Sequence, residues 1–440
     1  MAKKLKLPEI YFNLGSGSHV FEITPGQYAE LSERAIDHQM RLQKVEGLDA
    51  KDDSTGMTKS QRLMAQAITR NSVHYAGALA GYPTGRHDLP GGKRILVTES
   101  VTAIEAGKSC KIPRFEKFLD ELLGTQAIYY MLWLKVALAS LKRRDFMPGQ
   151  LMGIVGEPGS GKGFLTWLTK MLLGGRSADP YLYMTGGTPF NHDLAMAEFW
   201  GMGDKQAKYD IRSRRAFGAS VKSMCVDSEL FIHPKGRTAF TADTFRRLML
   251  TANPEREHVQ VFPPVDNDTG EKMMLLKCDR AQLSSDKLKN QKEFISEMPS
   301  FVRFLENESI PAQLRDSRYG VKKFHHPELI ELLDVMTPER QLIEILDETL
   351  WQNQGKDDLN DWRGSAEELK QILITGKCSS TAHSLLGNWP SAMGTYLDRL
   401  SRKFPERFSR TVCKGKTKWI IRTDSDVENN NNNNERKKSA

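Results

Sequence analysis

The sequence predicts an α/β protein built on a parallel sheet with a phosphate-binding loop at one strand end. An apolar run at 151–155 is followed by the glycine-rich stretch 156–163 and then by a helical apolar pattern at 164–173. From about residue 150 to 310, short apolar strands alternate with helices, which is typical of βα units. After about residue 325 the pattern changes to helices followed by a pair of strands, which indicates a further domain.

Residues 1–120 are expected to form a mixed α+β docking module. Two short strands, 9–12 and 19–23, flank a Gly-Ser-Gly turn, and a helix is predicted from Gln27 to about Gln43. A further strand is predicted at 93–98. No set of carboxylates and histidines is spaced as a polymerase or primase site requires, so recruitment is the favoured role.

Residues 121–315 are expected to form the nucleotide-binding core. A long apolar helix is predicted from Gln126 to Arg144, with basic residues at its end. Strands are predicted at 181–184 and 246–252, and a basic helix at 209–224. The first strand of the core, 151–155, leads directly into the glycine-rich stretch.

The glycine-rich stretch has the chemistry of an ATP site. Glycines let the backbone wrap around an anion, the N–H groups and the helix N-terminus point at the phosphates, and a lysine adds a charge. The predicted contacts are Gly156, Glu157, Pro158, Gly159, Ser160, Gly161, Lys162 and Gly163. The alternative is an ordinary strand–helix turn. The pattern asks for a hydroxyl after the lysine to ligate Mg²⁺, and Gly163 has none.

ATP hydrolysis also needs a strand-end acid for Mg²⁺ and a polar group that orients water. Asp204 is the candidate acid and metal ligand, with a surface loop acid as the alternative. Lys205 follows it and cannot act as a base, so Glu198 or Asp227 are weighed as substitutes. Asn253 ends an apolar strand and is the candidate polar group.

Basic residues in the core supply further candidates. Arg256 and Arg280 lie downstream of Asn253, and the sequence does not decide which could serve as an arginine finger. Lys235 and Arg237 lie in a predicted hairpin, 231–237, whose tip could reach a nucleic-acid backbone. An exposed charged turn is the alternative interpretation of that hairpin.

Residues 325–422 are predicted to form a winged-helix-like module. Helices are expected at 338–351, 365–373 and 393–403, followed by strands at 408–412 and 418–421. Residues 396–422 contain nine Lys and Arg residues against Asp398 and Glu406. A DNA-contacting face that includes Lys414, Lys416 and Lys418 is weighed against a merely solvated basic surface. Residues 424–440, with six consecutive asparagines, are expected to be disordered.

Composition limits the class of protein. The chain has 440 residues and a net charge of +8, which favours a polyanionic partner. Its five cysteines lie far apart, which argues against a zinc site and for a reducing compartment. Neither a signal peptide nor a membrane-spanning run is expected. We therefore expect a cytoplasmic protein without a membrane partner.

Taken in order, the motifs resemble a known family, the superfamily III-like helicase domain of phage primase-helicases and phage primase–polymerases. The resemblance extends over roughly residues 70 to 422. The blocks that carry it are 73–77, 156–163, 183–186 with 190–191, 204 with 210–219 and 222, 233–235, 245–253, 263–264 with 272–276, 318–321, 325–329, 362–369 and 394–397.

The resemblance implies an AAA+-type P-loop core that assembles into a ring, expected to be a homo-hexamer with ATP and Mg²⁺ between subunits. It implies 3′-to-5′ movement on single-stranded DNA during replication of a mobile element, with a separate primase or polymerase as partner. By this analogy Lys162 binds phosphate, Asp204 is the Walker B acid, Asn253 is the sensor and Lys235 lies on the channel hairpin.

Gly163 and Lys205 depart from the family pattern and leave two hypotheses open. The first is an ATP hydrolase and DNA helicase. The second is an ATP- and DNA-binding scaffold or loader that does not hydrolyse ATP. A metabolic P-loop kinase fits poorly with the basic C-terminal module.

Overall fold

A computed structural model of the chain describes residues 9–203, 211–263, 265, 268–335, 338–351, 361–387, 390–413 and 416–422. The chain divides after Leu329 into two compact units, each of which is described by itself. The strands are β1 Ile10–Asn13, β2 Ser18–Thr24, β3 Gln27–Leu31, β4 Ser72–Val73, β5 Tyr75–Gly77, β6 Gly85–Asp88, β7 Arg94–Val97, β8 Leu151–Val155, β9 Ser177–Ala178, β10 Phe199–Met202, β11 Glu229–Ile232, β12 Phe240–Asp243, β13 Arg247–Ala252, β14 Met273–Lys277, β15 Arg315–Asp316, β16 Gly320–Val321, β17 Trp362–Gly364, β18 Phe408–Cys413 and β19 Lys416–Ile421.

The helices make up most of the remaining regular structure. They are α1 Glu33–Leu42, α2 Lys59–Arg70, α3 Pro113–Leu123, α4 Ala127–Arg143, α5 Lys162–Leu172, α6 Tyr181–Met184, α7 His192–Ala195, α8 Ile211–Met224, α9 Arg256–Val259, α10 Lys287–Asn307, α11 Pro327–Val335, α12 Pro338–Leu350, α13 Ala366–Thr375, α14 Ser379–Leu386 and α15 Ala392–Lys403.

The first unit begins with a four-stranded sheet in the order β3-β2-β1-β4 and a three-stranded sheet in the order β5-β7-β6. The two strands predicted around the Gly-Ser-Gly turn are confirmed as β1 and β2. The helix predicted from Gln27 is wrong over its first turn, because Gln27–Leu31 pairs with β2 as an edge strand. The helix begins only after Ser32, whose side chain accepts a hydrogen bond from the Ala35 N–H.

A five-stranded parallel sheet in the order β14-β8-β13-β10-β9 forms the centre of the first unit. All five residues of β8 are buried, as expected for a central parallel strand covered on both faces. The predicted parallel α/β arrangement is confirmed, as is the strand at 246–252. The strand predicted at 181–184 is wrong, because the Met184 and Thr185 N–H groups bond back to Pro180 and Tyr181 as a helical turn.

Helices α3 and α4 pack against this sheet in the main hydrophobic core, together with residues of α5 and α10. The segment Pro113–Arg143 is long and apolar enough to cross a membrane, by length and composition alone. This is a weak indication, because buried core helices satisfy the same criteria, and half of the most apolar stretch is buried here.

The second unit packs helices α12 to α15 and one face of a three-stranded antiparallel sheet, in the order β17-β19-β18, around its own hydrophobic core. The predicted helices and the predicted pair of strands are confirmed. A Ser365–Glu368 capping box starts α13, since each side chain bonds the other residue's backbone N–H. Strand β17 was not predicted, because three residues beside a helix cap carry no alternating pattern.

A buried ion pair attaches the amino-terminal part of the first unit to the central sheet. The Glu198 carboxylate is fully buried just before β10 and is paired with Arg176, whose Nε lies 2.9 Å from it. The carboxylate also accepts the Gly81 N–H at 2.9 Å, and Arg176 donates to the Glu99 carbonyl. Three separate chain segments therefore depend on one carboxylate.

We expect Glu198→Ala to lower the free energy of unfolding by about 3 kcal/mol, because it leaves Arg176 and the Gly81 N–H without their acceptor. Asp88→Ala, which removes one partner of an exposed Arg86–Asp88 pair, should change it by less than about 1 kcal/mol. Urea denaturation followed by circular dichroism measures both. Equal effects would contradict a structural role for Glu198.

Candidate functional site

The glycine loop, residues 156–163, joins the carboxyl end of β8 to the amino end of α5. Gly159 and Gly161 have φ values of +75° and +118°, a region that side chains with a Cβ rarely adopt. Glu157, Pro158 and Gly159 are exposed, whereas Ser160 and Lys162 are buried. The loop therefore presents backbone groups at a helix N-terminus, which is an arrangement suited to binding an anion.

The Lys162 ammonium group closes the loop on itself. Its Nζ donates to the carbonyls of Gly156 and Glu157 and, at 3.1 Å, to Oδ1 of Asn253. An ammonium group has three donors, and all three are used. Asn253 follows β13 directly, and β13 pairs in parallel with β8, so the sheet brings these two predicted site residues together.

The other side of the loop is packed against the segment after β14. The Ala281 N–H donates to the Ser160 carbonyl at 2.9 Å, and the Cys278 N–H donates to Val155. A Cβ on Gly156 would lie 2.2 Å from Cys278 Sγ and 2.6 Å from the Cys278 carbonyl oxygen. Burial raises the pKa of the Cys278 thiol, so this thiol stays protonated at neutral pH.

Gly163 has no such constraint. It is exposed in the first turn of α5, and a Cβ built on it would meet no atom within 4 Å. Its φ does not lie in the left-handed region. A serine or threonine therefore fits at this position, and packing does not explain the missing hydroxyl.

Glu255 is a site candidate that the sequence reasoning missed. It lies two residues after Asn253, and a hydrogen bond from His258 at 3.0 Å lowers its pKa, with a smaller contribution from Lys162. Glu255 is thus an ionised carboxylate near the lysine of the glycine loop. The sequence signal that could have identified Glu255 is its position two residues after Asn253, the asparagine at the end of a strand.

The carboxylates considered as substitutes for the missing base are not at this edge. Glu198 precedes β10, and the backbone carbonyl of Asp227 accepts a hydrogen bond from Arg246, just before β13. Six residues of β13 separate Arg246 from Asn253, a span of about 20 Å at the usual rise of a strand. Asp204, Lys205 and the interpretation of Asp204 as a metal ligand lie outside the described residues.

Of the two arginine-finger candidates, the structure describes the side chain of Arg280 but not that of Arg256. Arg280 is exposed, and its neighbours Asp279 and Ala281 donate to the carbonyls of Leu122 and Ser160. It therefore lies beside the glycine loop of its own chain. Arg256 begins α9, close after Asn253, and its side chain is outside the described part.

The predicted hairpin is present as β11 and β12, with Lys235 exposed in the connecting turn. Asn191 is fully buried and holds the hairpin, since its amide bonds the Phe231 carbonyl at 2.8 Å and the His233 N–H at 2.7 Å. The rings of Phe190 and Phe231 lie 5.1 and 6.3 Å from the His233 ring. These two phenylalanines are 37% and 60% exposed. Phe231 and His233 of the hairpin, the latter two residues before Lys235 in the sequence, thus form a partly exposed aromatic cluster with Phe190, and this cluster was not predicted.

Arg237, also proposed to contact DNA, has an intramolecular partner. Its guanidinium lies 3.6 Å from the Glu30 carboxylate of β3, and both side chains are partly exposed. Such a pair is worth at most about 1 kcal/mol. Arg237 remains available to a polyanion only in competition with Glu30.

The basic segment 396–422 is less basic in three dimensions than in the sequence. Five of its nine cations pair with acids, three of which come from outside the segment: Arg399 with Glu339, Arg402 and Arg410 with Asp398, Lys403 with Asp334, and Arg407 with Asp347. Lys418 is exposed on β19. Lys414 and the side chain of Lys416 lie outside the described residues.

Within the described ranges, no three His, Cys, Asp or Glu side chains come together as a possible metal site. A magnesium ion at the glycine loop would therefore draw mainly on phosphate oxygens and water, with a single carboxylate such as Glu255, or Asp204 outside those ranges, as the candidate protein ligand. Mg²⁺ commonly binds in this way, through one or two carboxylates plus substrate phosphates.

The fold is similar to that of solved structures of the C-terminal region of NrS-1. No protein-family model and no curated protein matches the chain. The apo structure of the C-terminal region of NrS-1, a phage primase-polymerase, is 14% identical with a TM-score of 0.57, and the match covers 95% of this chain and 96% of that chain. A second apo structure of that region, the A form, is 12% identical with a TM-score of 0.55, covering 95% and 97%.

Two glycines of the loop provide a matched test of its packing. We expect Gly156→Ala to lower the free energy of unfolding by about 1 to 3 kcal/mol, because the new methyl meets the Cys278 backbone. Gly163→Ala should raise it by about 0.4 to 1 kcal/mol, since alanine restricts the unfolded chain and meets nothing in the folded one. Thermal unfolding of both variants checks the pair; loss of stability in Gly163→Ala would contradict the open environment described for residue 163.

Proposed function

We propose that the protein is an ATP-dependent motor on single-stranded DNA that acts in replication of a phage or another mobile element. The contact between Lys162 and Asn253 carries this proposal, since it joins a glycine loop to a polar strand end at one edge of a parallel sheet. Ligands of open α/β sheets bind at the carboxyl ends of the strands. The fold shared with part of a phage primase-polymerase supports the replication context.

ATP fits the glycine loop. The N–H groups of the loop and of the first turn of α5 would bind the phosphates, and Lys162 would exchange the Gly156 and Glu157 carbonyls for phosphate oxygens. Asn253 and Glu255 would orient the attacking water from the neighbouring strand end. The bound nucleotide supplies the phosphoryl group and the energy of its transfer; the chain supplies position and charge.

The second candidate function is an ATP- and DNA-binding scaffold or loader that does not hydrolyse ATP. Gly163 favours it, because without a hydroxyl the helix offers no side-chain ligand to Mg²⁺. The steric freedom around residue 163 makes the two candidates separable by a single substitution.

The hairpin is the proposed site for single-stranded DNA. Exposed aromatic rings beside a lysine are what sequence-tolerant binding of unpaired bases requires, since bases stack on rings while the cation attracts phosphates. Phe190, Phe231 and His233 supply the rings, and Lys235 supplies the charge. A homo-hexameric ring, with Arg256 or Arg280 near the nucleotide and with a separate primase or polymerase, completes the proposal.

The nucleotide site is tested by ATP turnover. We expect Lys162→Ala to abolish ATP binding and DNA-stimulated hydrolysis. We expect Gly163→Ser to raise Mg²⁺-dependent hydrolysis by about tenfold, a typical effect of a group that supports a metal site. Gly163→Ala is the matched control, because it adds the same carbon without the hydroxyl.

The outcomes separate the candidates. Turnover in the wild type that depends on Lys162 supports the motor. ATP binding without turnover in the wild type, with turnover appearing in Gly163→Ser, supports the scaffold. Failure of the wild type to bind ATP would refute both.

Binding of a fluorescent oligo-dT measures the hairpin. We expect Phe231→Ala to weaken binding by about tenfold, at the lower end of the free energy of base stacking on an aromatic side chain. Lys235→Glu should weaken it as well and make it less dependent on salt. Leu288→Ala removes a similarly exposed apolar side chain, 67% exposed on α10, and should leave binding unchanged. Unaltered binding in both hairpin variants would remove this assignment.

A further inference from the structure

The outer face of the three-stranded sheet in the second unit joins Lys418, one of the residues predicted to contact DNA, to polar residues of β17 and β18 that have no role so far. Strand register places Arg363 opposite Ile420, Ser409 also opposite Ile420, and Thr411 opposite Lys418. These residues therefore share one face of the sheet. The neighbouring positions Trp362, Trp419, Phe408 and Ile421 share the other face and pack in the hydrophobic core.

This outer face is open and carries weakly engaged cations. Arg363, Thr411 and Lys418 are exposed. Arg363 lies 3.7 Å from Asp361, at the limit of an ion pair, and its side chain is 69% exposed. Within the described residues, Lys418 has no carboxylate within ion-pair distance.

Helix α15 contrasts with this face. Arg399 and Arg402 lie 2.8 and 2.5 Å from Glu339 and Asp398, and Lys403 lies 2.5 Å from Asp334. The cations of α15 are already paired with carboxylates. A DNA phosphate that bound there would therefore release few counterions, and the gain in affinity would be small. The positive charge available to a polyanion therefore lies on the sheet rather than on the helix.

The side chains of the outer face also indicate which nucleic acid it fits. Ser409 and Thr411 are hydroxyl donors that commonly bind phosphate oxygens, and the described side chains of this face include no aromatic ring on which a base could stack. Duplex DNA presents phosphates while its bases remain stacked inside. The face thus suits a duplex backbone, whereas the aromatic hairpin suits unpaired bases.

We propose that Arg363, Lys418, Ser409 and Thr411 form a contact surface for the phosphate backbone of double-stranded DNA. This inference rests on the proposed function, because it gives the same protein a second DNA site of a different class. Binding is expected to be independent of sequence and strongly dependent on salt, since backbone contacts carry no base information.

The experiment measures binding of the full chain to a blunt 25-base-pair duplex and to oligo-dT over a range of salt concentrations. We expect Arg363→Gln combined with Lys418→Gln to weaken duplex binding about five- to tenfold and to reduce its salt slope by about 1.8, as loss of two phosphate contacts requires. Oligo-dT binding should be unchanged. Arg399→Gln combined with Arg402→Gln removes the same charge from α15 and should leave duplex binding nearly unchanged.

Each other outcome overturns the proposal. An unchanged duplex slope in the sheet variant, an equal loss in the helix variant, or an equal loss on oligo-dT would each do so, as would a wild type that binds no duplex. The proposed motor function is refuted by different measurements, namely a lack of ATP turnover or hairpin variants that bind oligo-dT normally. The failure of one proposal can therefore be distinguished from the failure of the other.

Discussion

The pairing of β13 with β8 is the constraint on which the candidate site depends. Chain order would place the strand after β8 beside it, but β13 lies there instead, between β8 and β10. Carboxyl ends of parallel strands meet at one edge, so this order brings Asn253 to the glycine loop and within 3.1 Å of Lys162. If β13 did not lie next to β8, Lys162 would lose its side-chain acceptor. The same strand carries Glu255 to the loop and holds Asp227 about 20 Å away at its other end.

Much of this arrangement was predictable from the sequence because it is local. Strand β8, the glycine loop and α5 follow one another within 22 residues. The hairpin and helices α12, α13 and α15 carry clear patterns of their own, whereas α14 was not predicted. The errors occurred where pairing with another strand decides, or where the segment is too short to show a period. Gln27–Leu31 is an edge strand only because β2 offers it a partner. Tyr181–Met184 has the apolar composition of a strand, yet local backbone hydrogen bonds make it a helical turn. Strand β17 exists only because β19 lies beside it.

Charge was the property least predictable from the chain. Residues 396–422 appear strongly basic because the sequence shows only the two acids within the segment. Folding brings in Asp334, Glu339 and Asp347 from helices far away in sequence, and these acids engage cations of α15 and of the residues that follow it. Among the described side chains, Arg363 and Lys418 then form a small basic area on a sheet face. A count of charges along one segment therefore overestimates the net positive charge of the folded surface whenever the neutralising carboxylates come from other elements.

The two glycines at the ends of the loop have different reasons for being glycine. At position 156 a methyl group would collide with the Cys278 backbone, so every substitution is opposed by packing. At position 163 nothing lies within 4 Å of the missing Cβ. Two of the four glycine codons become serine codons through a single base change, and the fold presents no barrier to that step. Packing therefore leaves the residue at 163 open to a one-nucleotide change, whereas it holds the residue at 156 as glycine.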